Sequence, residues 1–131
     1  SGRTEFPIEV AIEVGDGGVA IDFAGSAPQT ATMMNSPLPS TTAAALVTIL
    51  TLFGADVEHN AGVLSRFHVS APEGSMLNAP FPSATFGGNK LCEYIGSAIM
   101  AAFADALPAR VSAGWSRRLS MPTSMPAWTR R

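Results

Sequence analysis

From Ile8 to Val14 the chain alternates: Ile8, Val10, Ile12 and Val14 are separated by Glu9, Ala11 and Glu13. A period of two predicts a strand with one wet face. Gly15-Asp16-Gly17-Gly18 supplies turn chemistry, and Val19, Ile21 and Phe23 resume the alternation, so an antiparallel hairpin is expected. Asp22 should point to its solvent side, or towards whatever covers that side. Periodicity is lost from Gly25 to Ser40, where Asn35-Ser36-Pro37 and Pro39 are turn formers. Leu46, Ile49, Leu50 and Phe53 then form a helical stripe, predicting a helix over Ala43–Phe53, capped by Thr41 or Thr42 and stopped by Gly54. Its opposite side holds Ala44, Val47 and Thr51 without a charge, so the helix should be covered on most sides. A second helix is expected after Asn89 as cap, with Leu91, Tyr94, Ile95, Ala98, Ile99, Ala102 and Phe103 at helical spacing and Pro108 ending it.

Between these elements, Asn60–Asn89 is dense in residues that fix a backbone. Pro72, Pro80 and Pro82 restrict φ, while Gly62, Gly74, Gly87 and Gly88 open conformations closed to other residues. Only Phe67–Ser70 alternates as a short strand, so the stretch specifies a path and not a helix. From Val111 onward the pattern decays into a Met-, Pro- and Ser-containing tail. The fold class is therefore α+β: a hairpin and short strands packed with two mostly buried helices and a long, ordered Pro/Gly-rich loop. Residues 1–118 form one unit, and 119–131 a loosely held tail.

Composition sharpens this picture. A chain of 131 residues suits one domain. A hydrophobic fraction of 47% against 14% charged is apolar enough to predict burial against partners, and hence an oligomer. The net charge of −2 gives no basic face for nucleic acid or anionic membrane. The longest apolar run, Ala43–Phe53, is short of the roughly 20 residues of a membrane span. No secretory leader is visible, and the single Cys92 makes no internal disulfide, which points to the cytoplasm. A start at Ser1 without methionine suggests a piece of something longer.

Candidate chemistry is sparse. His59 and His68 match neither a helical i, i+4 pair nor a zinc pattern, and read as surface or structural residues or as an unconventional metal pair. Cys92 is either a packed thiol in a first helical turn or, beside a histidine, a nucleophile. Asp16, Asp22 and Glu73 have no spacing that pairs them. Phe86-Gly87-Gly88-Asn89-Lys90 is either a glycine-rich helix entry or an anion cradle on free amides; it lacks the Gly-Lys-Ser/Thr of a P-loop.

Six motifs in order change the reading. Asp22-Phe23-Ala24-Gly25-Ser26-Ala27-Pro28-Gln29, Asn35-Ser36-Pro37-Leu38, Asn60-Ala61-Gly62, Pro72-Glu73-Gly74-Ser75-Met76-Leu77-Asn78, Gly88-Asn89 and Leu107-Pro108-Ala109-Arg110-Val111 resemble those of the hydantoinase B/oxoprolinase family. That family takes in the B-type components of N-methylhydantoinases, oxoprolinases and a related acetone carboxylase component. The resemblance runs from about Phe6 to Arg118, and the tail beyond does not resemble the family's continuation.

This resemblance implies a partial B-type subunit of an ATP-dependent cyclic amide hydrolase acting on a hydantoin, 5-oxoproline or lactam, or of a related ketone carboxylase. Its expected partners are a hydantoinase A-like, ATP-using subunit and other large-subunit segments. The family's metal-liganding motifs, Asn-Asp-Pro and Gly-Gly-x-His-x-x-Asp, are absent from this sequence. Hence this chain should bind no cofactor itself, ATP and a divalent metal belonging to the complete enzyme, and should be inactive alone. Family-motif positions expected near a substrate pocket are Asn60, Gly62, Glu73, Gly88 and Asn89. The competing expectation is a non-catalytic assembly subunit that docks on larger partners.

Overall fold

A computed structural model describes residues 5–54, 57–58 and 60–112. His59 and the tail expected to be loosely held lie outside the described residues. The elements run β1 (Ala11–Gly15), β2 (Gly18–Asp22), α1 (Leu38–Phe53), α2 (Ala61–Leu64), β3 (Phe67–Ser70) and α3 (Gly88–Phe103), an α+β fold.

The expected hairpin forms, with Ile12 opposite Ile21 and Gly15 opposite Gly18. β2 is the central strand: it runs antiparallel to β1 and parallel to β3, which completes a three-stranded sheet in the order β1-β2-β3. A parallel neighbour requires a crossover, and the chain between β2 and β3 supplies it with α1. Alternation sorts the faces. Val19 and Ile21 are buried while Glu13, Ala20, His68 and Ser70 are exposed. Asp22 leans on the neighbouring strand, its Oδ1 accepting from Ser70 Oγ at 2.8 Å and from the Ala24 N–H at 3.1 Å. The turn places its left-handed residue at Gly18, φ 137°, where an added Cβ would collide with the Arg66 carbonyl that accepts the Val19 N–H.

Both helices depart from expectation at their starts. α1 begins at Leu38, five residues before Ala43. Pro37 sits at the N-cap in extended geometry and Pro39 falls in the first turn, where a missing N–H costs nothing. Thr41 and Thr42 are thus helical residues, not caps. α3 begins at Gly88 with Gly87 at the N-cap and no side-chain cap bond, so Asn89 lies inside the helix. It ends at Phe103, well before Pro108, as the Ala104 N–H tightens onto the Ala101 carbonyl.

α1 and α3 pack on each other and on the inner sheet face. Ile49, Leu52, Ile95 and Ile99 meet Ile21, Phe23 and Leu77 in one cluster, and Phe53 stands edge-on to Phe103 at 6.4 Å. The buried stripes are narrower than expected: Val47 on α1 and Tyr94 on α3 are 64% and 54% exposed, and Ala43, Thr51 and Ala102 are also open. The path from Asn60 to Asn89 includes the one-turn α2, which its glycine-containing sequence conceals. Asn60 caps that turn, Oδ1 accepting from the Val63 N–H at 3.0 Å. Among the described residues no helix is long and apolar enough to cross a membrane.

Candidate functional site

The loops on the uncharged side of the core are tied together by one asparagine. Asn35 is fully buried, and its amide is saturated: Oδ1 accepts from the Thr30 N–H at 2.7 Å, while Nδ2 donates to the carbonyls of Thr30, Thr32 and Ala84 at 3.0, 2.9 and 3.0 Å. A primary amide carries this mixture of donors and acceptor in one plane, and no other uncharged side chain but glutamine does. Asn35 therefore holds two loops, 30–34 and 80–86, at a fixed separation. Gly87 closes the same junction. Its N–H donates to the Met33 carbonyl at 2.8 Å, and a Cβ would lie 2.7 Å from that oxygen and from Met34 Sδ.

Beside it, the segment 72–79 is clasped to the start of α1. The Ser36 N–H donates to the Met76 carbonyl, the Ala79 N–H to the Ser36 carbonyl, and Thr41 Oγ1 to the Leu77 carbonyl at 2.6 Å. Pro28 bridges Ser75, and the Gln29 N–H donates to the Gly74 carbonyl. Asn78 Nδ2 fixes the turn by donating to the Ala71 carbonyl at 2.8 Å. Backbone groups that would otherwise be buried without partners are satisfied in this way. Ser75 Oγ is the exception: it is buried and has no partner among the described residues.

The five expected pocket positions fall on three elements. Asn60 and Gly62 belong to exposed α2, with Asn60 Nδ2 also donating to Glu58 Oε2 at 3.1 Å. Glu73 is exposed on the 72–75 turn. Gly88 is buried against Asn35 and Ser36, and Asn89 is exposed at the mouth of a groove. That groove, of about 450 Å³, runs between α1 and α3, walled by Ala43, Ala44, Val47 and Thr48 on one side and by Gly96 and Met100 on the other. Cys92 lines it too, its thiol directed at the Gly88 carbonyl of its own helix.

Two chemical options can be tested on this geometry. An anion cradle at 87–90 needs free amides, but the N–H groups of Gly87, Gly88 and Lys90 donate to the carbonyls of Met33, Thr85 and Gly87. Three of the four amides of the helix entry are therefore already taken, and the segment serves to join the helix to the loops. For a metal, His68 is exposed on the outer sheet face, and no group of three or more His, Cys, Asp or Glu side chains converges among the described residues.

The segments that the geometry brings together, 22–29, 35–38, 72–78 and 87–89, coincide with motif positions. A sequence profile of the hydantoinase B/oxoprolinase family matches residues 2–127. The chain belongs to that family. The matched span continues past Arg118, where the motif resemblance ends. Among family relatives, the 5-oxoprolinase PfmaA of Pestalotiopsis fici is 34% identical over 88 residues, 67% of this chain and 7% of the relative. A putative B-type subunit of a D-/L-hydantoinase from a Pseudomonas species is 28% identical over 86% of this chain and 20% of its own length. The 5-oxoprolinase 1 of Arabidopsis thaliana is 30% identical over 64% and 7%. This chain thus spans between 7% and 20% of the length of these relatives. No solved structure matches it.

Sequence reasoning names Asn35 and Arg110 as family positions without revealing their tasks. Arg110 Nη1 donates to the carbonyls of Leu52 and Phe53 at 3.2 and 2.9 Å, closing the C-terminus of α1. A lone arginine after Leu107-Pro108 is the available signal. Thr41, expected as a cap, instead donates to the buried Leu77 carbonyl, and nothing in the run Ser40-Thr41-Thr42 singles it out for that task.

Proposed function

We propose that this chain contributes to a cytoplasmic B-type subunit of an ATP-dependent cyclic amide hydrolase, or a related ketone carboxylase. In it, the chain shapes the site beside a metal centre whose ligands lie outside the chain. ATP is consumed by a hydantoinase A-like partner. Family membership supports the hydrolase class, and one relative carries the name of a hydantoinase subunit. The observation that carries the shaping role is the clasp of 72–79 and 84–87 around buried Asn35 and Ser36. Motif residues there hold backbones, leaving Glu73 and Asn89 exposed at the surface of the clasp as pocket candidates.

The test is reconstitution of the chain with an A-type subunit and the remainder of a B-type subunit, assayed with ATP and either hydantoin or 5-oxoproline. Glu73→Gln and Asn89→Ala should each lower turnover at least tenfold with unchanged melting temperatures. Full activity in both variants rejects the pocket role. Metal analysis of the dialysed chain should return less than one tenth of an equivalent of Zn or Mn; a full equivalent, lost on changing His59 or His68, places the metal here after all.

A second reading, a non-catalytic subunit that docks on larger partners, is favoured by one observation: Phe81 and Phe86 are 98% and 86% exposed. Stable co-purification with the partner subunits, with turnover unaffected by both pocket variants, would select it.

A further inference from the structure

The loop between Ala79 and Gly88 presents two phenyl rings to solvent on a backbone pinned at both neighbouring turns. Asn35 Nδ2 holds the Ala84 carbonyl, and the Gly87 N–H holds that of Met33. Pro80 and Pro82 restrict the chain on either side of Phe81. Rings displayed from a restrained backbone lose little conformational freedom when they are covered, which is the property of an interface anchor. No residue from Gly74 to Asn89 is charged, and none from Phe23 to Ala55. The second of these stretches includes all of α1. Immediately after the loop, Asn89 opens the α1–α3 groove, in which Glu93 is the single charged lining residue among those described. Ala43, Ala44 and Gly96 keep its walls low, and Val47 stands in it exposed. A protruding aromatic element and a largely apolar slot thus lie end to end on one chain.

We propose that two copies of this chain associate by seating Phe81 and Phe86 of each in the α1–α3 groove of the other. A reciprocal exchange of this kind closes on itself as a two-fold dimer and leaves no unpaired site for further growth. A buried phenylalanine contributes about 150–250 Å². Four rings and the walls that receive them bury on the order of 1,200 Å² or more, enough for a specific interface. The proposal follows from the loop and groove alone and is independent of the enzymatic reading. A membrane is a poorer match for the loop, because an uncharged stretch has no basic residues to meet anionic headgroups.

Light scattering on size-exclusion fractions of the whole chain, from about 1 µM to 1 mM, tests it. The wild type should be a dimer that dissociates on dilution. Phe81→Ser/Phe86→Ser and, separately, Val47→Lys should each weaken it at least tenfold with circular dichroism melts unchanged. Val14→Ser, which removes an equally exposed apolar residue from β1, should leave it intact. An equimolar mixture of the loop variant and the groove variant keeps one intact loop-in-groove seat and should recover association that neither has alone. A monomeric wild type at 1 mM overturns the proposal, as does a dimer indifferent to the loop and groove variants. Loss on Val14→Ser would move the contact to the sheet, and pelleting of the monomer with neutral phosphatidylcholine vesicles would replace the second copy with lipid; either result also rejects it.

Discussion

The two sides of this molecule solve the same problem with different chemistry. On the sheet side, residues 5–22, 57–58 and 60–73 carry Glu5, Glu9, Glu13, Asp16, Asp22, Glu58, Arg66 and Glu73, and alternation puts polar groups outward and Val19 and Ile21 inward. On the loop side, residues 23–54 and 74–89 carry no charge at all. There the backbone changes direction repeatedly against the core, so its inward-facing N–H and C=O groups need partners that no strand or helix provides. Buried Asn35 and Thr41 supply them through their side chains, and Ser36 through its backbone. The difference explains where the motif residues gather. A sheet face tolerates many sequences with the right period, whereas a loop junction needs a particular side chain at a particular point.

The largest expected effect asks whether the two sides share one core. Ile99 on α3 is fully buried in the cluster that also contains Ile21 from the sheet and Leu77 from the loops. An unpaired carboxylate there costs several kcal/mol or forces its own protonation. Ile99→Asp should abolish cooperative melting and the near-ultraviolet circular dichroism of the whole chain. A residual sheet signal with its own transition would show that the sides fold separately.

Next comes a contrast between two asparagines. Asn35→Ala removes the four hydrogen bonds of a fully buried amide that join Thr30, Thr32 and Ala84, for about 2–4 kcal/mol. Asn60→Ala removes the cap of exposed α2 and should cost about 1 kcal/mol. Urea titrations of both variants check the ratio. Equal losses would mean that the loop junction relaxes around the missing amide, and the distinction drawn between the sides would fail.

The sheet side is largely legible in the sequence because period-two alternation is a local signal: Ile12, Val19, Ile21 and the strand Phe67–Ser70 all follow from it. The parallel partnership of β2 and β3 is not, since pairing across a crossover leaves no local trace. Helix cores are legible and helix starts are not. Pro37 and Pro39 read as turn formers, while in the fold they open α1; Asn89 reads as a cap, while Gly87 occupies that place because Met33 leaves no room for a side chain. Asn60, Gly62, Glu73, Gly88 and Asn89 enter as one group through motif resemblance, and the fold distributes them over α2, the 72–75 turn and the start of α3. Motif order along a chain does not encode which segments meet. That information lies in long-range bonds such as Asn35 to Ala84.

The finest contrast uses one extra methyl group on each side. Gly87 has ordinary right-handed helical geometry, φ −78° and ψ −3°, so Gly87→Ala meets no backbone penalty, only sterics. Its Cβ would lie 2.7 Å from Met34 Sδ, which can swing away, and from the Met33 carbonyl, which cannot because Gly87 itself is bonded to it. Overpacking of this kind costs about 1–3 kcal/mol. In the β1–β2 turn, a Cβ on Gly17 meets nothing within 4 Å, and the residue that takes positive φ is its neighbour Gly18. Gly17→Ala should therefore stabilise the chain by about 0.4–1 kcal/mol, through reduced freedom of the unfolded state. Thermal melts of the two variants should move in opposite directions from the wild type. If Gly17→Ala lowers the melting temperature, the turn uses Gly17 for its left-handed residue, and the sheet side is more demanding of its sequence than the comparison allows.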